Sequence, residues 1–101
     1  MNTHADTIAK LKAKLWDNAI SSYRAAVKLR SAYGDQDEER IDAVEDQVGR
    51  AYREMIMMKV PTASAAFDKL EAVHDEFGSA DAIPAHDVAT VIADLKRLGS
   101  A

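Results

Sequence analysis

The chain is read as an all-α protein, a four-helix bundle, on three observations. Apolar residues recur at the helical period through four segments, glycine or proline closes each segment, and nothing between them alternates apolar and polar as a strand does. The closures are Tyr33-Gly34-Asp35, Val60-Pro61-Thr62, Phe77-Gly78-Ser79 and Leu98-Gly99. They predict a long antiparallel helical hairpin, about 4–33 and 37–59, followed by two shorter helices, about 62–77 and 84–98.

The first helix starts at Thr3 or Asp6, either of which can accept a hydrogen bond from an unpaired backbone N–H of the first turn. Ile8, Leu11, Leu15, Ala19, Ser22, Ala26 and Tyr33 make one stripe, and Trp16, Ile20, Tyr23 and Val27 a second beside it. Gly34 ends it, because glycine enters the left-handed region at little cost. Asp35 or Asp37 caps the second helix, and Glu38 and Glu39 favour its positive N-terminal end. Its stripe is Ile41, Val44, Val48, Tyr52, Met55 and Ile56, and it closes on the apolar run Met55-Ile56-Met57-Met58. At ~1.5 Å per residue, each arm of the hairpin spans on the order of 35–40 Å.

Pro61 stops the second helix and Thr62 caps the third, whose inner face is Ala65, Ala66, Phe67, Leu70, Val73, His74 and Phe77. Pro84 opens the fourth, with Val88, Val91, Ile92, Leu95 and Leu98 in register and Lys96 and Arg97 at its negative end. The expected core is Leu15, Trp16, Ile20, Met55, Ile56, Phe67, Leu70, Val91 and Leu95, so Trp16→Ala or Leu70→Ala should each cost ~2–5 kcal/mol. The far end of the hairpin, from Ala26 to Val44, has fewer covers: it is either a thin polar-tipped hairpin or the seat of a second copy. A homodimer is expected.

The 101 residues fit a single domain, and a hydrophobic share of 48% argues for a folded chain. There is no cysteine, which excludes disulfides, thiolate zinc sites and cysteine nucleophiles. No basic segment leads into an apolar one at the start, and no apolar run approaches the ~20 residues of a membrane span, so a soluble cytoplasmic protein without membrane contact is expected. Residues 1–33 hold six Lys/Arg and two acids, a balance of +4; the rest hold seven and fifteen, a balance of −8; together they give −4. The basic first helix is expected to lie beside the acidic second, and overall acidity argues against nucleic acid as a partner.

Candidate chemistry is sparse. Glu71-x-x-His74 has the spacing that points two metal ligands to one side of a helix, but no second such pair exists, so no metal and no cofactor is expected. Ser21, Ser22 and Ser64 have no histidine near them in sequence. Helix four offers Ala85, His86, Asp87, Val88 and Ala89 where a DNA-recognition helix presents basic and amide side chains.

The run His74-Asp75-Glu76-Phe77-Gly78-Ser79-Ala80, with Ile83, Val88 and Leu95 after it, resembles the signature of histidine phosphotransfer domains. The resemblance implies a four-helix bundle with an exposed phosphoryl-accepting histidine, here His74. It also implies a lysine three positions on and a small residue next to it, so that a response regulator can approach. Gly78, Ser79 and Ala80 match; Phe77 stands at the lysine position, and Asp75 and Glu76 set carboxylates beside an incoming anion. A second resemblance rests on Trp16, Tyr23, Pro61-Thr62, Lys69-Leu70-Glu71 and Asp94-Leu95-Lys96-Arg97-Leu98. Together these look like small uncharacterised helical proteins of alphaproteobacteria, found among phage-like and mobile-element genes. That resemblance implies a helical bundle in a bacterial cytoplasm and brings no activity. The expected function is a non-enzymatic protein–protein interaction module that self-associates. The alternatives are phosphotransfer on His74 and a DNA-binding regulator.

Overall fold

The computed structural model describes residues 3–33 and 38–99. Four helices run through them: α1 (Thr3–Tyr33), α2 (Glu38–Met57), α3 (Ala63–Phe77) and α4 (Ala85–Gly99), with a short 3-10 turn at Ala80–Ala82. Among the described residues there is no strand, and no helix is long and apolar enough to cross a membrane. The stops and caps expected at Gly34, Asp35 and Asp37 lie outside the described residues.

The local signals around α3 act as written. Thr62 is extended, and its hydroxyl accepts from the Ala65 N–H at 3.1 Å. Gly78 adopts φ 77°, and its N–H closes on the His74 carbonyl at 2.9 Å, a left-handed stop that a side chain would strain. Pro84 sits immediately before α4, where its carbonyl accepts from the N–H groups of Asp87 and Val88.

Cross-helix contacts set the topology. Arg30 lies 3.8 Å from Glu45, and the Tyr23 and Tyr52 rings meet further along, so α1 and α2 are antiparallel. Lys69 of α3 sits over Trp16, and Glu76 meets Tyr23 and Arg30, so α3 runs with α1. Tyr52 bonds Asp87, and Arg97 bonds the Val60 carbonyl, so α4 runs with α2. At 1.5 Å per residue α1 extends about 46 Å and α2 about 30 Å, so the arms are less equal than the sequence suggested. The first turns of α1 therefore run past the end of α2.

Trp16, Ile20, Met55, Ile56 and Val91 are buried, as expected of them. Leu15, Phe67, Leu70 and Leu95 are not: Phe67 is 64% exposed and Leu70 41%. The outward set also includes Ile8, Leu11, Val88 and Ile92. Ala65, Ala66, Val73 and Val91 are buried as expected, and in place of the outward residues α3 buries Lys69 and Ala72 and α4 buries Asp87 and Asp94. The physical reason is a rotation of each helix by less than one residue step of about 100°. It turns Phe67, Leu70, Val88, Ile92 and Leu95 outward and Lys69, Asp87 and Asp94 inward, while Val73 and Val91 stay buried. Small side chains let α3 approach the Trp16–Met55 core, and the charged side chains they accompany find partners inside.

The far end closes on itself. Ala26 and Val44 are buried in the common core, Arg40 lies 6.0 Å from the Tyr33 ring centroid, and Glu76 reaches Arg30. Most of the uncovered apolar surface is instead on α3, α4 and the first half of α1, with Met57 at the end of α2 and Leu29 further along α1 exposed as well. The molecule measures 55 × 30 × 16 Å, with a radius of gyration of 15.5 Å against ~13 Å for a compact domain of this length.

Candidate functional site

The side chain at the centre of the molecule is a lysine. Lys69 has no exposed surface, and its ammonium carries three N–H donors that all need partners. It donates to the Met58 carbonyl at 2.8 Å, just past the negative end of α2, and to Asp94 Oδ2 at 2.7 Å, and it lies 6.0 Å from the Trp16 ring centroid. Asp94 accepts a second bond from Arg97 Nη2 at 3.3 Å, and the same nitrogen donates to the Val60 carbonyl at 2.6 Å. Among the described residues no buried side-chain polar atom lacks a partner. This clamp ties α3, α4 and the end of α2 together beside α1.

A second polar layer lies toward the far end. Tyr23 donates to Glu76 Oε2, and Arg30 forks onto both Glu76 oxygens at 2.8 and 3.0 Å. Tyr52 donates to Asp87 Oδ2. The rings interlock edge to face, Tyr23 with Tyr52 at 5.9 Å and Tyr52 with Phe77 at 5.8 Å. Two phenol–carboxylate bonds and one aromatic stack thus bridge all four helices.

These contacts displace titrations. Burial raises both phenols above their ordinary value of 10.0, and the carboxylates they donate to add to the rise. Burial alone would raise Glu76, but the bonds from Arg30 and Tyr23 outweigh it and hold the carboxyl below its ordinary 4.5. A lowered carboxyl stabilises the fold above 4.5 and loses that contribution as pH falls through its folded value. A raised phenol keeps its contribution below 10.0 and loses it as pH climbs toward its folded value. The denaturant midpoint, followed against pH, is therefore expected to hold between 4.5 and 10.0 as far as these groups govern it, and to fall on both sides. An unchanged midpoint on the acid side of 4.5 would contradict the Glu76 assignment.

His74 projects into solvent from the outer side of α3, 54% exposed, with Nδ1 3.6 Å from an Asp75 oxygen. Glu71 is exposed one turn before it, and Ser79 and Ala80 are exposed beyond Gly78. Among the described residues no three of His, Asp and Glu gather in a way that would hold a metal ion. Ser21, Ser22 and Ser64 are exposed helix residues.

An open groove of about 870 Å³ lies where α1 outruns α2. Ile8, Leu15, Met58 and Pro61 line it, with Lys12, Lys59 and Arg97 among them. Both lysines are exposed and have no ion-pair partner among the described residues. Sequence reading missed this groove and the Lys69–Asp94 clamp. The available signal was a charged residue in register with alanines, at Ala65, Ala66, Lys69 and Ala72, and it was outranked by the larger side chains one position away. The chain matches no family model, and neither a curated protein nor a solved structure matches it.

Proposed function

We propose that the chain is a non-enzymatic helical module that acts through protein–protein contact and pairs with a second copy of itself. The observation that carries this reading is an inversion: Lys69, Asp87 and Asp94 are buried, while Phe67, Leu70, Val88, Ile92 and Leu95 on the same two helices face outward. The accessible surface is 7155 Å², where a compact monomer of 11.0 kDa exposes roughly 5,600 Å². The excess is about twice the roughly 800 Å² that each partner contributes to a standard interface. Polar interiors and apolar exteriors of this kind mark an interaction surface. The resemblance to small helical proteins of the bacterial cytoplasm agrees with such a module and supplies no chemistry.

Size-exclusion chromatography with light scattering tests the reading on wild type and on a Phe67→Ser/Leu70→Ser variant. Wild type is expected to elute as a dimer and the variant as a monomer with unchanged helicity. Equal dimerisation of the two would remove the α3 face from the interface.

One observation favours a second reading, phosphotransfer on His74: the imidazole is exposed on a bundle helix. Asp75 beside it disfavours an incoming phosphoryl anion. A His74→Ala chain that takes up phosphoryl label as readily as wild type rules this reading out.

A further inference from the structure

The uncovered apolar surface is not uniform in charge. The groove past the end of α2 has Ile8, Leu15, Met58 and Pro61 along it and two cations, Lys12 and Lys59, without an ion-pair partner among the described residues. The outer face of α3 is its opposite: Phe67 and Leu70 stand out beside Asp68 and Glu71, two acids that are exposed and without an ion-pair partner among the described residues. One surface is apolar and basic, the other apolar and acidic. Charge of this arrangement favours contact between the two and opposes contact of either with its own kind.

Both surfaces belong to one chain, and they adjoin. Pro61 and Thr62 line the groove, and Thr62 caps the helix that carries Phe67 and Leu70. A two-fold axis near this corner sets the groove of each copy against α3 of the other, so that each copy gives and receives the same contact. Arg97 lies in the groove but is already bonded to Val60 and Asp94, which leaves Lys12 and Lys59 as the cations free to pair.

We propose that the basic groove takes the acidic outer face of α3 from a second copy of the chain, in a reciprocal two-fold dimer. The proposal rests on the self-association proposed above and names the surfaces that perform it. Phe67 and Leu70 enter the groove, and Asp68 and Glu71 meet Lys12 and Lys59.

Charge reversal tests it. One variant carries K12E/K59E and the other D68K/E71K; all four positions are exposed, and circular dichroism of each monitors the fold. Each variant alone is expected to be monomeric at concentrations where wild type is dimeric. An equimolar mixture is expected to recover dimers of mixed composition, because both reciprocal contacts regain opposite charges. A wild type that weakens as salt rises supports the same pairing without any variant, since partly exposed charges are screened. Wild-type dimers with both reversed variants still dimeric, or with no recovery on mixing, would overturn the pairing and leave self-association standing. A wild type that remains monomeric at high micromolar concentration would overturn both.

Discussion

Asp94→Ala is expected to destabilise the fold by about 3–5 kcal/mol, because it leaves the fully buried Lys69 ammonium without its counter-charge. The Met58 carbonyl and the Trp16 ring remain beside the ammonium, but neither carries a full opposite charge. Lys69→Ala is expected to cost less, since Asp94 keeps its bond from Arg97. Replacing both partners, Lys69→Met with Asp94→Leu, is expected to come near wild type or above it, as substituting a buried pair by well-packed apolar groups often does. Urea denaturation of the singles and the double decides this. A near-neutral Asp94→Ala would show that the pair is not buried as described.

Trp16→Ala is the second large effect, about 3–5 kcal/mol, because the indole is 2% exposed at the centre of the bundle and also faces Lys69. Leu70→Ala, measured under dilute conditions where the chain is monomeric, is expected to cost far less. From the sequence alone the two substitutions ranked together. Equal and large losses for both in the monomer would restore the core drawn from periodicity and contradict the observed rotation of α3.

The difference between those two residues shows what the sequence made legible. Helix number, the antiparallel hairpin, the Thr62 cap and the Gly78 stop were all readable, because each depends on chemistry within a few residues. Trp16, Ile20, Met55 and Ile56 were readable as core because α1 and α2 carry broad apolar arcs that tolerate a small error in rotation. On α3 two stripes compete on either side of Ala66 and Val73, one large and apolar (Phe67, Leu70) and one small with a charge in it (Lys69, Ala72). Periodicity ranks the first higher. The second is buried because Lys69 meets Asp94, Met58 and Trp16, three partners that lie 11 to 53 positions away and leave no local mark. The groove escaped for a related reason: it exists only because α1 outruns α2, and that overhang depends on where two helices end.

The outward stripes are the feature on which the proposed self-association rests. Sedimentation equilibrium of the wild-type chain, from low to high micromolar, is the most direct measurement of it. The account predicts a mass rising from 11.0 kDa to twice that value, with a single monomer–dimer constant fitting the whole range. A mass that stays at 11.0 kDa throughout would contradict it.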